Sequence, residues 1–355
     1  MTFTGRLLSA HQQINGQLAQ FPSSRYMGSK HAILDFLHEV LSDLEFHTAL
    51  DAFSGSGAVS YLLKTMGKAV TSNDFLSFCY HTANACVANS TERLTPAEVE
   101  ALLADDPSAP DFIARTFAGL YFTDAENRLL DNLVTHILRM TSPQKQSLAL
   151  AALARACLRR RPRGLFTYTG LRYDDGRRDL QISLEQHFRD AVDCFNDAVF
   201  DNGETHAAYN TDIFALPTEQ HFDLVYLDPP YVSPHSDNDY ARRYHFVEGL
   251  MRYWRDLPIL EHTRTKKFRR PPSRFDSKQT IHAAFDDLFR RFQDSIIVVS
   301  YSSNGIPSRE DLYELLSRYK RVTVHERDHR YSFGTHAHKV GDNQNLVKEY
   351  LFVGQ

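Results

Sequence analysis

Apolar and polar residues alternate with two different periods along the first 90 residues. Leucine, isoleucine and valine recur every three or four positions over 30–44, which predicts an amphipathic helix. The apolar run 47–53 predicts a buried strand, and a glycine-containing turn follows it at 54–57. The alternation continues with a helix, a strand and a helix at 58–66, 69–73 and 75–89. Strands that alternate with helices in this way predict an α/β fold.

The pattern changes between 91 and 200, where helical spacing is the main regular signal. It predicts four helices, at 96–104, 124–140, 143–160 and 184–199. An Asp-Gly pair within 171–180 predicts a β-hairpin. Strands return at 206–209, 222–227, 295–301, 321–326 and 346–353, with helices at 240–255, 280–293 and 308–318. We therefore predict one domain formed by 1–90 and 201–355, interrupted by a helical insertion over 91–200.

Composition is that of an ordinary globular chain. The 355 residues are 42% hydrophobic and 24% charged, with a net charge of −4, which excludes collagen-like and largely disordered classes. No apolar stretch approaches the ~20 residues that cross a bilayer, and the first residues carry no apolar leader. We therefore expect a cytoplasmic location and no membrane partner.

The chain has no residue pattern typical of a metal site. Its four cysteines form no CxxC pair. Histidines cluster at His329, His336 and His338, but no carboxylate or cysteine stands beside them at a familiar ligand spacing. We predict surface or hydrogen-bonding histidines and no metal.

Basic residues are concentrated in two segments of an otherwise acidic chain. Residues 155–178 contain eight arginines and two aspartates, and residues 264–278 contain seven lysines or arginines and one aspartate. A face of this kind favours a polyanion such as nucleic acid. The alternative, which the pattern alone supports equally, is a pair of solvated charged loops.

A glycine turn follows the first predicted strand, in the sequence DAFSGSG at 51–57. Glycines allow a ligand to approach the backbone closely, and Asp74, which ends the next strand, can accept hydrogen bonds from ribose hydroxyls. The third glycine of the dinucleotide fingerprint is missing. A purely structural turn is therefore the alternative.

The sequence Asp228-Pro229-Pro230-Tyr231 directly follows the apolar strand FDLVYL. Prolines fix the backbone and remove donors, which leaves carbonyl groups to accept hydrogen bonds. The Asp228 carboxylate and the Pro229 carbonyl can accept both N–H groups of an exocyclic amine, while Tyr231 offers a face for a purine. An amine held in this way can attack an electrophilic carbon, so the motif indicates amine alkylation. A rigid loop that caps a strand is the alternative.

Two further motifs are weaker signals. The sequence RYMGSK at 25–30 precedes the first helix and could close over the carboxylate of a cofactor. The sequence NTDIF at 210–214 could set Asp212 against the amino group of an adenine ring. An Asx turn or a helix cap explains this aspartate equally well.

Taken in order, RYMGSK, DAFSGSG, Asp74, NTDIF and DPPY resemble the D12 class of DNA adenine N6-methyltransferases, the α-group that includes Dam-like enzymes. The run YARRYHFVE at 240–248 is also similar to that family. The resemblance implies a Rossmann-like, seven-stranded, mostly parallel sheet flanked by helices, with a reversed strand near the C-terminus. It also implies that the helical insertion 91–200 is the target-recognition, DNA-binding domain.

The resemblance implies a role for each motif. The cofactor would be S-adenosyl-L-methionine, bound by Tyr26, Met27, Gly28, Lys30, Asp51, Phe53, Gly55, Gly57, Asp74, Asp212, Ile213 and Phe214. The catalytic residues that hold the target base would be Asp228, Pro229, Pro230 and Tyr231. The candidates for DNA contacts are Arg159, Arg160, Arg161, Arg163, Arg172, Arg177, Arg178, Lys266, Lys267, Arg269 and Arg270.

The implied reaction transfers a methyl group to N6 of an adenine flipped out of double-stranded DNA. It would belong to a restriction-modification or related system, in which a cognate restriction endonuclease acts separately. The alternatives are adenine N6 in ribosomal RNA, cytosine N4, and a non-catalytic DNA-binding relative. The intact DPPY motif argues against the last of these.

Overall fold

The computed structural model of the protein describes residue 14 and residues 16–170, 176–217, 220–230, 240–269, 272–330 and 346–355. Its strands are β1 Thr48–Asp51, β2 Ala69–Asn73, β3 Ala207–Tyr209, β4 Leu224–Leu227, β5 Ile296–Ser302, β6 Val322–Arg330 and β7 Leu346–Gly354. They form one seven-stranded sheet in the order β3-β2-β1-β4-β5-β7-β6. Neighbours pair in parallel except β7, which is antiparallel to both β5 and β6. The predicted α/β sheet and its reversed strand are confirmed.

Helices flank the sheet and fill the segment between β2 and β3. The helices before β3 are α1 Leu34–Ser42, α2 Ala58–Thr65, α3 Ser77–Ala83, α4 Pro96–Leu103, α5 Phe112–Thr116, α6 Asp124–Leu138, α7 Pro143–Arg160 and α8 Leu184–Ala198. The later ones are α9 Tyr240–Arg243, α10 His245–Arg252, α11 Ile281–Arg291 and α12 Arg309–Ser317. No described helix has the length and apolar character needed to span a membrane. Sequence periodicity missed α5, which is only five residues long.

Side-chain caps fix where two of the inserted helices begin. The Thr95 hydroxyl accepts the backbone N–H of Glu98, and the Glu98 carboxylate accepts the backbone N–H of Thr95. Thr123 and Glu126 make the same reciprocal pair at the start of α6. Because each cap is local in sequence, these helix starts agree with the periodicity.

The sheet has two buried faces, as alternation along β1 illustrates. Ala49 belongs to one apolar core and Leu50 to the other. The core on the Leu50 side is completed by α11 and α12. The core on the Ala49 side continues without a break into α7 and α8, so the helical segment and the sheet share one core. The division into a catalytic and a target-recognition domain stays a prediction.

The predicted β-hairpin over 171–180 is wrong in its second arm. Arg178–Gln181 forms a single turn of 3-10 helix. Residues 171–175, including Arg172, lie outside the described residues. Asp179 explains the helical turn, since its carboxylate pairs with Arg25 and Arg159 and its carbonyl oxygen contacts the His187 ring.

The arginines at the end of α7 are part of the scaffold. Arg161 is completely buried, and its guanidinium donates to the carbonyl oxygens of Tyr121, Leu165, Tyr168 and Gly170. A side chain without access to solvent cannot reach a phosphate, so the structure contradicts the predicted DNA contact of Arg161.

The two arginines that precede Arg161 also have internal partners. Arg160 pairs with Glu126 at 2.6 Å and Arg159 pairs with Asp179 at 3.3 Å. Both side chains are partly exposed, so their DNA contacts stay predictions.

We expect Arg161→Met to destabilise the fold by about 2–4 kcal/mol, because it leaves several buried carbonyl groups without a donor. The matched control is Arg178→Met at an exposed position, with an expected change within about 0.5 kcal/mol. Urea unfolding followed by circular dichroism measures both. Equal stability of the two variants would contradict the structural role of Arg161.

Candidate functional site

A cavity opens at the carboxyl ends of β1, β2 and β4, where ligands bind in open parallel sheets. The space between its walls, with open solvent at the mouth included, is about 1310 Å³. Most of the residues predicted for the cofactor and the target base line it together. They are Tyr26, Gly28, Lys30, Asp51, Phe53, Gly55, Asp74, Asp212, Ile213, Phe214, Asp228, Pro229 and Pro230. Met27 and Gly57 do not line the cavity, and Tyr231 lies outside the described residues.

The glycine turn is held at the cavity wall by backbone bonds. The Ser54 N–H donates to the Asn73 carbonyl at 2.9 Å, which joins the ends of β1 and β2. Gly55 has φ +50°, and a side chain there would meet the Tyr26 ring at 3.1 Å. Gly57, at φ +80°, is the residue before α2, so its role is to start that helix. The turn therefore requires glycine for both conformation and space.

Three tyrosines form a stack beside this turn. The Tyr26 ring lies 5.6 Å from that of Tyr240 and 5.3 Å from that of Tyr244, both nearly parallel to it. The Tyr244 hydroxyl also accepts the Met27 N–H at 2.7 Å, so Met27 anchors the loop through its backbone. A side chain at Gly28 would meet the Tyr240 hydroxyl at 2.6 Å. The stack thus sets the path of the RYMGSK segment.

Asp51 has one carboxylate oxygen without a hydrogen-bond partner among the described residues. Its Oδ2 accepts the Ser60 hydroxyl at 2.6 Å, while Oδ1 is buried without a hydrogen-bond partner. Burial raises the pKa of Asp51 to about 7, and the nearby carboxylates of Asp228 and Asp74 act in the same direction. A cationic donor that entered the cavity would satisfy this oxygen.

Asp74 contributes to the turn as well as to the cavity. Its Oδ2 accepts the Gly55 N–H and its Oδ1 accepts the Leu76 N–H, each at 2.8 Å. Each oxygen keeps a second lone pair for a ligand. Burial raises the pKa of Asp74 to about 6, although both backbone bonds favour the carboxylate.

Asp228 forms an ion pair that the sequence did not predict. Lys30 Nζ lies 2.9 Å from Asp228 Oδ1, and the two side chains are 9% and 17% exposed. Burial raises the pKa of Asp228, and the Lys30 charge opposes that rise. Lys30 was predicted to contact the carboxylate of a cofactor. Here it lies against the aspartate of the DPPY motif and leaves Oδ2 of that aspartate for another donor.

The far end of the cavity is aromatic. Phe275 stacks near Phe214, with ring centroids 6.1 Å apart, and meets Phe53 edge-on at 5.3 Å. Arg274 covers Phe214 at 4.1 Å. The Asp212 side chain accepts the Phe214 N–H at 2.9 Å, so the helix-cap alternative holds for one of its oxygens while the residue still lines the cavity. These side chains offer apolar surface against which a flat ring can pack.

Sequence reasoning missed several residues of the cavity wall. Phe75 is 48% exposed beside Asp74, and Phe275 lies within the basic segment 264–278 that precedes α11. Tyr226 and Tyr240 also line the cavity. The position of Phe75 next to a strand-end acid was a usable signal. Phe275 had none, because only the tertiary fold brings its segment to the cavity.

The remaining predicted DNA-contact residues differ in how exposed their side chains are. Arg177, Arg178 and Arg269 are exposed, and Arg163 and Lys267 are half-buried. Lys266 pairs with Glu261 at 2.6 Å. Arg270 lies outside the described residues, as do His336 and His338.

Comparison with known proteins identifies the family. Residues 26–315 match the D12 class N6 adenine-specific DNA methyltransferases. The chain is 31% identical to the type II methyltransferase M2.HphI of Haemophilus parahaemolyticus, over 94% of this chain and 98% of that protein. It is 22% identical to the type II methyltransferase M.NlaIII of Neisseria lactamica, over 92% and 98% of the two chains. It is 23% identical to the modification methylase LlaI of Lactococcus lactis subsp. lactis, over 83% of this chain and 49% of that relative.

The family match extends over the glycine turn, Asp74, Asp212 and the DPPY motif, and most of their described residues line one cavity. The family predicted from these motifs is confirmed. This protein belongs to the D12 class of N6 adenine-specific DNA methyltransferases.

Proposed function

We propose that this protein transfers the methyl group of S-adenosyl-L-methionine to N6 of an adenine rotated out of double-stranded DNA. The observation that carries the proposal is the single cavity that contains both the glycine turn and the Asp228-Pro229-Pro230 corner. A methyl donor and an acceptor amine have to meet within bonding distance, and one continuous cavity allows this.

The residues of the cavity suit S-adenosyl-L-methionine. Asp51 offers an unpartnered carboxylate oxygen to the ammonium group, and Asp74 keeps lone pairs for the ribose hydroxyls. Phe53, Phe214 and Phe275 would enclose the adenine ring. The cofactor supplies an electrophilic methyl carbon on a positively charged sulfur. Buried carboxylates in the wall favour binding of this cationic sulfonium over the neutral thioether that remains after methyl transfer.

Asp228 and Pro229 would hold the target amine. Asp228 Oδ2 and the Pro229 carbonyl can each accept one N–H, which directs the nitrogen lone pair toward the methyl carbon. Lys30 pairs with Oδ1 and favours the ionised carboxylate, so we assign it a positioning role. Tyr231 would stack on the base, worth about 1–3 kcal/mol.

Access to adenine N6 requires the base to leave the duplex, at a cost of a few kcal/mol. Phosphate contacts offset this cost, and the exposed Arg177, Arg178 and Arg269 are the best candidates among the described residues. The relatives named above are type II methyltransferases or modification methylases. We therefore propose a role in restriction-modification, with a cognate endonuclease that acts separately in the cytoplasm.

The test is to express the protein in a host that lacks adenine methylation and to sequence its DNA with a method sensitive to modified bases. We expect N6-methyladenine at one sequence, and no modification with Asp228→Ala, a variant that should retain cofactor affinity. Modified cytosine N4, or methyl transfer to ribosomal RNA alone, would overturn the substrate assignment. Binding of cofactor and duplex without any transfer would indicate a non-catalytic relative.

We expect Lys30→Met to shift the acid limb of the methyl-transfer rate to higher pH. Asp228 acts as a carboxylate, and loss of the Lys30 charge raises its pKa further. We expect the acid limb to move by about one pH unit, which corresponds to a roughly tenfold lower rate on the acid side. The control is Lys68→Met, since Lys68 precedes β2 and donates to the Phe46 carbonyl at the amino ends of the strands, away from the cavity. An unchanged acid limb in Lys30→Met would contradict the positioning role.

We expect cofactor affinity to rise between pH 6.5 and 8. The bound ammonium requires ionised Asp51, whose pKa is about 7, so protonation at lower pH opposes binding. Asp74 has a pKa of about 6 and is mostly ionised by pH 6.5, so its titration contributes little over this range. Calorimetric titration with S-adenosyl-L-methionine measures the effect, and Asp51→Asn should flatten it. The same pH dependence in Asp51→Asn would assign the titration to another group.

A further inference from the structure

The run YARRYHFVE at 240–248 ends at a glutamate that has no part in the assignments above. Glu248 lies on α10, is 6% exposed and does not line the cavity. Burial raises the pKa of Glu248, because it disfavours the charged carboxylate. An apolar side chain would pack at this position without that cost. The groups that the carboxylate contacts therefore account for its presence.

Both oxygens of Glu248 accept hydrogen bonds from the start of α3. Oε1 accepts the Ser77 N–H at 3.0 Å, and Oε2 accepts the Phe78 N–H at 3.2 Å. These N–H groups belong to the first turn of the helix, where no helical carbonyl is available to accept them. Because α3 and α10 are distant in sequence, Glu248 ties the turn that follows β2 to the helix run that carries Tyr240 and Tyr244.

Asn210 holds the same turn from its carbonyl side. Its Nδ2 donates to the carbonyl oxygens of Asp74 and Phe75 at 2.9 and 3.0 Å. Its Oδ1 accepts the Ser77 hydroxyl at 3.0 Å. Asn210 and Glu248 thus fix the backbone of residues 74–78, the 74–78 turn, from two segments that are distant in the chain.

The 74–78 turn presents three side chains to the cavity, those of Asp74, Phe75 and Leu76. Asp74 is the residue assigned to the ribose hydroxyls of the cofactor. A hydrogen bond weakens steeply when its distance or angle departs from the preferred geometry. The ribose contact therefore depends on the position of the backbone that carries Asp74, and Glu248 is one of the groups that set this position.

We propose that Glu248 is a positioning residue for the cofactor, whose carboxylate holds the 74–78 turn so that the Asp74 carboxylate meets the ribose hydroxyls of S-adenosyl-L-methionine. This inference rests on the proposed function. Glu248 acts through Asp74 and does not line the cavity itself. Its loss should therefore weaken cofactor binding and leave the methyl-transfer step unchanged.

The test is Glu248→Gln, which keeps the size of the side chain and replaces one acceptor oxygen by an amide NH₂ group. We expect the affinity for S-adenosyl-L-methionine, measured by calorimetric titration, to fall about tenfold, roughly the worth of one hydrogen bond to a charged group. The KM for the cofactor should rise with it. The kcat at saturating cofactor and the affinity for the duplex should change less than about twofold.

A double-mutant cycle with Asp74→Asn shows whether Glu248 acts through Asp74. In the Asp74→Asn background, we expect Glu248→Gln to weaken cofactor binding by less than about threefold, because the ribose contact is already lost. A merely structural glutamate would instead give additive losses, about tenfold in either background.

The matched control is Asp131→Asn on α6. Asp131 is also buried, and its two oxygens accept the Ile113 and Ala114 N–H groups at the start of α5, each at 2.9 Å. It does not line the cavity. This variant loses the same kind of helix cap, so it should lower stability without a change in cofactor affinity.

Asn210→Ala is the second variant, since it loosens the 74–78 turn from its other side at a half-buried position. It should also weaken cofactor binding several-fold, and it takes the place of Glu248→Gln in the cycle if that variant does not fold.

Three results would overturn the proposal: unchanged cofactor affinity in the variant tested, additive losses in the cycle, or an equal loss of affinity in Asp131→Asn. Wild-type protein that binds no S-adenosyl-L-methionine would overturn the proposed function itself, which separates the two failures.

Discussion

Parallel pairing of β1 with β4 is the constraint on which the candidate site depends. The register places Asp51 against Tyr226, so the glycine turn and the DPPY corner leave the sheet side by side. The two motifs are far apart in the chain, and the backbone hydrogen bonds between these strands bring them together. Any change that slipped this register would turn Asp51 to the opposite face and separate the two halves of the cavity.

Burial of like charges gives the cavity its electrostatic character. Asp51, Asp74 and Asp228 all line it, and burial raises the pKa of each. The positive charge of Lys30 pairs directly with the carboxylate of Asp228. A wall with more carboxylates than cations favours a positively charged ligand, and it loses that preference once the positive charge is removed. This supports a cofactor that is cationic before methyl transfer and neutral at sulfur afterwards.

In the helical segment, several arginines of the basic sequence form structural bonds inside the protein. Arg161 satisfies carbonyl groups that would otherwise be buried without donors, and Arg159 and Arg160 hold neighbouring turns through aspartate and glutamate. Charge density along the chain does not distinguish a phosphate contact from a structural ion pair, because both need the same side chain. Burial and partner geometry separate them.

The sequence by itself determined the α/β class, most helix and strand positions, the family and most of the cavity wall. These depend on local periodicity, on caps within four residues and on contiguous motifs such as DAFSGSG and DPPY. Tertiary structure decided that Lys30 pairs with Asp228, that Phe275 closes the aromatic end and that Arg161 is internal. Each of these depends on contacts between segments distant in sequence, which local patterns do not encode.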